Sequence, residues 1–203
     1  MTKINPFSIL LIICFTPIIG CSQSASEFSM EGLKKIDAKD YAGAVIQFDN
    51  AIKLDSTNDT YYYYRGLSKS LMKNYTNAIL DYSQSLNLKA NQKVNYMRGI
   101  AKVEIMDYAS ALEDFNASYD LKKNEPSFYF FRGSCKLHLK DLQESILDFD
   151  KAIELNKDYG KAYFLRAMAK IEFNQKSSAC EDFQLAKKLN DSHAEEMIKK
   201  YCQ

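Results

Sequence analysis

Cys135 and His138 stand three residues apart, a spacing that puts two side chains on one face of a helix and suits two ligands of one metal ion. Two ligands do not close a zinc site, and no neighbouring Cys or His supplies a third. The only other histidine is His193. Glu113 with Asp114 and Glu181 with Asp182 are adjacent carboxylates, the residue type for general acid and base work. Neighbours in a helix point apart, however, and a solvated face explains them as well. The chain has no Gly-rich phosphate loop and no serine elbow. The expectation is a protein that is not an enzyme, with no cofactor and no metal.

The remaining pattern concerns architecture. The 203 residues hold 46% hydrophobic and 26% charged side chains, enough apolar material for a core and against wholesale disorder. Lys and Arg number 27 against 26 Asp and Glu, so no excess of positive charge is available for binding nucleic acid. Gly32, Gly66, Gly99 and Gly133 recur at intervals of 33 or 34, and Ala167 continues the series. In the same frame run small residues (Ala44, Ala78, Ala111, Ser145, Ala179) and aromatics (Phe48, Tyr82, Phe115, Phe149, Phe183). A second small series follows at Ala51, Ser85, Ser118, Ala152 and Ala186. Each unit reads as two helices, the first carrying the glycine and the second a face of small residues seven apart with an aromatic between them.

These residues resemble the tetratricopeptide repeat, over units at 25–58, 59–92, 93–125, 126–159 and 160–193. The resemblance implies an all-α solenoid of five helical hairpins wound as a right-handed superhelix with a concave groove. Two departures stand out. The proline usual near each unit's end is replaced by Ser56, Ala90, Lys123, Lys157 and Asp191, and Arg65, Arg98, Arg132 and Arg166 take the place of an aliphatic residue before the glycine. Residues 194–203 form an amphipathic stretch with Met197, Ile198 and Tyr201 apolar, suited to a helix that covers the end of the array.

Recurring charges bear on the same frame. Lys35, Lys69, Lys102, Lys136 and Lys170 share one position, while Asp81, Asp114, Asp148 and Asp182 share another on the second helix. Two readings stand side by side: a basic ladder for anionic ligands, or Arg–Asp pairing inside each unit, to which the planar guanidinium is suited. Cys135 falls in the slot of Ser68, Ala101 and Ala169, which favours packing over ligation. Cys180 and Cys202 lie about eleven residues on either side of a turn near Asp191, so an antiparallel hairpin brings them alongside each other. They can form a disulfide in an oxidising compartment, or remain two packing thiols.

The family's binding surface, carried over by register, places Tyr63 and Leu67, Tyr96 and Ile100, Phe130 and Leu137, and Phe164 and Met168 on the concave face. Tyr63, Tyr96, Phe130 and Phe164 then make an aromatic ladder for a peptide or amphipathic helix. The alternative is that the ladder packs between neighbouring repeats. The Lys and Asn with which some family members grip a terminal carboxylate are missing.

The N-terminus reads as an address. Residues 2–20 carry Lys3 as their only charge and continue into an apolar run from Phe7 to Ile19, the pattern of a secretory signal. Ile18-Ile19-Gly20-Cys21 resembles a bacterial lipobox, which implies cleavage after residue 20 and lipid on Cys21, followed by a short polar tether at 21–25. Without Lys3 the chain has 26 basic and 26 acidic residues, so retention at a membrane rests on lipid rather than on charge. The sequence thus points to a lipid-anchored interaction scaffold of the bacterial cell envelope, facing the periplasm or the surface. Its rivals are a glycan or peptidoglycan binder and a self-assembling structural repeat.

Overall fold

The computed structural model describes residues 23–202. The segment expected to be a signal and Cys21, the residue expected to carry lipid, lie outside the described residues. Among those described, the chain folds into helices only: α1 (Ala25–Asp37), α2 (Tyr41–Leu54), α3 (Asp59–Leu71), α4 (Tyr75–Leu88), α5 (Gln92–Glu104), α6 (Tyr108–Ala117), α7 (Tyr119–Lys122), α8 (Pro126–His138), α9 (Leu142–Leu155), α10 (Gly160–Glu172), α11 (Lys176–Lys188) and α12 (Ala194–Tyr201). The hairpins α1/α2, α3/α4, α5/α6, α8/α9 and α10/α11 stack in chain order, and α12 packs on α11. The short α7 continues α6 beyond a break at Ser118, whose hydroxyl donates to the Phe115 carbonyl at 2.8 Å.

Small residues set the hairpin spacing. A Cβ placed on Gly32 would lie 2.8 Å from the Phe48 ring, and one on Gly66 would lie 3.0 Å from the Tyr82 ring. The aromatic of the second helix fills the space the glycine leaves, and Phe48, Phe115, Phe149 and Phe183 are fully buried. Each turn between the paired helices holds a residue with left-handed backbone: Lys39, Lys73, Met106, Lys140 and Asn174, with φ of 59–66°. Glycine is the usual occupant of such a conformation, so these turns carry local strain that the stacked helices offset.

The junctions between units lack the proline usual near each unit's end, although Pro126 opens α8 at the start of the fourth unit. Asn58 and Asn91 accept from the Thr60 and Lys93 amides and cap α3 and α5. The Tyr62 and Tyr129 hydroxyls donate to the carbonyls of Ser56 and Lys123, at 3.3 and 2.9 Å. These carbonyls belong to two of the positions where proline is absent. The tyrosines hold the chain there from the next unit.

The recurring charges form the pairs expected of a structural ladder. Arg65, Arg98, Arg132 and Arg166 each donate twice to Asp81, Asp114, Asp148 and Asp182, at 2.5–3.0 Å. Lys69, Lys102, Lys136 and Lys170 reach the same four carboxylates at 2.7–2.9 Å. Arg65 and Arg166 also bond Asp49 and Asp150 of the preceding unit, both at 2.6 Å, which stitches one hairpin to the next. Burial works against the Arg65 charge, but the bonds to Asp81 and Asp49 outweigh it and leave its pKa above the ordinary value.

The two ends of the stack are finished differently. On α1, Glu27, Glu31 and Lys34 stand where inner units carry buried or half-buried residues such as Tyr61, Arg65 and Ser68, so the outer face of the first hairpin is polar. At the other end Met197, Ile198 and Tyr201 of α12 pack over Phe164, Met168 and Phe183. Cys180 and Cys202 are joined by a disulfide with their Cα atoms 5.7 Å apart.

Candidate functional site

The inner-face residues divide into two groups. Tyr63 and Tyr96 are only 7% and 6% exposed, and Leu137 is 7% exposed, so these three belong to the core. Leu67, Ile100, Phe130, Phe164 and Met168 are half-buried. Each ladder ring packs on the second-helix aromatic nineteen residues further on in its own unit. The centroid distances are 6.1 Å for Tyr63 and Tyr82, 5.8 Å for Tyr96 and Phe115, 6.2 Å for Phe130 and Phe149, and 5.7 Å for Phe164 and Phe183.

Each ring also has a second neighbour. Lys93 and Lys122 place their ammonium groups 5.1 and 5.0 Å from the Tyr63 and Tyr96 ring centres. Tyr159 stacks on Phe130 at 5.0 Å, and the His193 ring lies 5.8 Å from Phe164. Burial raises the Tyr96 phenol above its ordinary pKa and pushes Tyr159 up to about 12, so both rings stay neutral. The placing of Tyr63, Tyr96 and Leu137 on an open groove is therefore corrected, since all three are buried and the rings pack within their own hairpins, while Phe130 and Phe164 remain half-buried. A ring between two helices gains more by covering a neighbouring aromatic than by facing water.

What the inner face leaves open lies beside the ladder. A recess of about 240 Å³ is lined by Leu67, Ser70, Leu71, Tyr75, Met97, Ile100 and Glu104, with Tyr82 at its base. A larger one of about 640 Å³ is lined by Glu104, Phe130, Phe131, Tyr159, Gly160 and Lys161, and by residues 189–193 between α11 and α12. Glu104, the last residue of α5, lines both, so the two recesses follow one another along the stack. Leu71 is 45% exposed and offers an apolar contact at the entrance of the smaller one. Desolvation, with the Glu104 charge beside it, raises the Tyr75 phenol.

Of the residues singled out from sequence, the structure brings Leu67 and Ile100 together in the smaller recess and places Phe130 in the larger. Phe164 and Met168 pack instead beneath α12. The residues missed are Leu71, Tyr75, Glu104, Tyr159, Lys161 and His193. Glu104 and Lys161 sit at the last and second positions of first helices, and repeat register alone was enough to find them. Tyr159 and His193 come from the junctions after second helices, where no periodic signal marks them.

Cys135 and His138 are not brought to a common site. Cys135 is fully buried in the core, and burial pushes its thiol up to about 12. His138 stacks on Tyr108 at 4.0 Å, and its pKa is lowered chiefly by desolvation. Among the described residues no group of three His, Cys, Asp or Glu gathers as metal ligands. None of their helices is long and apolar enough to cross a membrane.

Residues 126–159 match the family model of the tetratricopeptide repeat. No curated protein matches the chain. Among solved structures, that of YrrB, reported as a TPR protein with an unusual peptide-binding site, superposes with a TM-score of 0.81 at 21% identity, over 87% of this chain and 92% of that one. MamA from residue 41 of Desulfovibrio magneticus RS-1 gives 0.77 at 17% identity, covering 83% and 97%. A further MamA crystal structure gives 0.71 at 20%, covering 84% and 97%. The chain is thus folded as a tetratricopeptide-repeat solenoid, with the family's own sequence pattern matched in its fourth unit.

Proposed function

We propose that this chain is a lipid-anchored scaffold of the bacterial cell envelope that holds a segment of a partner protein along the inner face of its solenoid. The observation that carries the reading is the pair of consecutive recesses on the first helices, walled by Leu67, Leu71, Ile100 and Phe130. The larger recess has the size typical of binding pockets with apolar walls and a few polar groups, and the smaller one extends it along the stack. The peptide-binding site reported for YrrB supports the same reading by analogy of fold.

The anchor in this reading is Cys21, four residues before the start of α1 at Ala25. A tether of about five residues spans at most about 18 Å, which keeps the repeats, and therefore the partner, close to the bilayer.

Two experiments test the two halves. A photo-crosslinking amino acid at Leu71, in intact cells, should give a discrete adduct that disappears when Ile100 is changed to Asp. The same group at Ile46, exposed on α2, should give none. A diffuse pattern equal at both positions would contradict the groove, provided that melting shows Ile100→Asp still folded. For the anchor, feeding a clickable fatty acid should label the wild type and leave Cys21→Ser unlabelled. A label retained in the serine variant would remove Cys21 as the lipid site.

A further inference from the structure

The larger recess has a chemical order along the stack. One side of it is built from three successive first helices, α5, α8 and α10, and the other from Tyr159 and residues 189–193. The first contributes Glu104, the second Phe130 and Phe131, and the third Lys161. Both charged side chains belong to exposed residues, and neither takes part in an ion pair among the described residues. By contrast Glu172, at the corresponding end of α10, is held by Lys140 at 2.7 Å, and Asp191 in the recess wall is tied up accepting from the His193 amide. An anion, an apolar floor and a cation therefore follow one another in the direction of the stack, and among the described residues neither terminal charge is held by an opposite charge, the neighbour of Glu104 being the neutral Tyr75 phenol.

We infer that the occupant of this recess is an extended peptide segment with a bulky apolar residue over Phe130, a basic residue facing Glu104 and an acidic residue facing Lys161. This rests on the reading of the inner face as a peptide site and adds to it the partner's chemistry and direction. Charges set across an interface contribute register and discrimination more than raw affinity. Inverting the segment places like charges together at both ends, so one chain direction is accepted and the other refused.

The test is selection from a displayed library of twelve-residue peptides with a fixed central Phe or Leu and randomised flanks. The bait is the purified full-length chain in detergent. The wild type should enrich basic residues on one flank and acidic residues on the other, at least fivefold over the input library. The doubly exchanged Glu104→Lys, Lys161→Glu chain should invert that order. Both residues are exposed, so a melt should show the exchanged chain as stable as the wild type. Enriched peptides with neutral flanks, or with a flank order that the exchange leaves unchanged, would overturn the charge order while leaving the peptide site standing. Enrichment of no peptide by either chain would overturn the peptide site and this inference with it.

Discussion

Tyr96 meets Phe115 edge to face, with ring centroids 5.8 Å apart and an interplanar angle of 62°. The pair joins α5 to α6 inside one hairpin, and the same nineteen-residue relationship recurs in the second, fourth and fifth units. A ring in that position holds the two helices of a unit together, and a partner segment must find its contacts beside it. Truncating Tyr96 to Ala should therefore cost about 3 kcal/mol or more, in the range for large buried aromatics. Leu71→Ser, at an exposed site, should stay within about 0.5 kcal/mol. Denaturant melts of the two variants distinguish them. Equal small losses would return Tyr96 to the open groove.

The Arg–Lys–Asp clusters have the same structural character. Asp114 is buried and answers both Arg98 and Lys102, at 2.6 and 2.8 Å. Asp114→Ala leaves two cations facing each other with no counter-charge, and breaking a buried pair in this way costs about 3 kcal/mol. Removing Glu31, whose pairing with Lys34 is surface-exposed, should cost less than about 1 kcal/mol. Chemical denaturation of Asp114→Ala and Glu31→Ala gives the comparison. A basic ladder built for anionic ligands predicts the reverse, stability untouched and binding lost.

Much of this was legible in the sequence because it repeats. The glycine and aromatic series announced the hairpins, and the Arg and Asp series made their pairing one of two readings, since a feature that recurs in four of five units more often serves the unit. Cys180 and Cys202 could be placed side by side by counting from the turn. The burial of Tyr63 and Tyr96 was not legible, because register fixes the helix face but not what covers it. The covering groups Lys93, Lys122, Tyr159 and His193 come from different positions around the unit junctions, so no single series reveals them. Nor does a repeat pattern forecast left-handed turns at Lys39, Lys73 and Met106, where the local sequence offers no glycine and tertiary packing imposes the conformation.

Cys135 gives a prediction in pH. Its thiol is raised in the folded chain from 9.0 to about 12, first by desolvation, so the neutral form is favoured on folding. The unfolded chain ionises first as pH rises. This residue's contribution to stability is therefore present below pH 9 and declines as pH climbs from 9 towards 12. At pH 8 iodoacetamide should leave Cys135 unmodified in the folded protein and alkylate it rapidly in urea, as read by peptide mass spectrometry. Rapid labelling of the folded chain would place this thiol at the surface.

The disulfide should matter locally. Cys180 and Cys202 are separated by 22 residues, and a loop of that size is worth about 3 kcal/mol in the chain-entropy model. Cys202→Ser should speed amide exchange in α12 and in residues 189–193, the wall of the larger recess. Exchange in α1 and α2, at the far end of the stack, should not change. A uniform rise along the whole chain would mean that the bond supports the solenoid globally.

The central claim is that partners bind in the recesses beside the aromatic ladder. Its most direct test is the affinity of the protein captured through Leu71 for the purified full-length chain and two variants. Leu71→Asp, at the entrance of the smaller recess, should weaken binding at least tenfold. Ile46→Asp, at a somewhat more exposed apolar residue on α2, should leave it unchanged. The opposite result, with binding lost in Ile46→Asp and kept in Leu71→Asp, would move the site off the inner face and contradict the account.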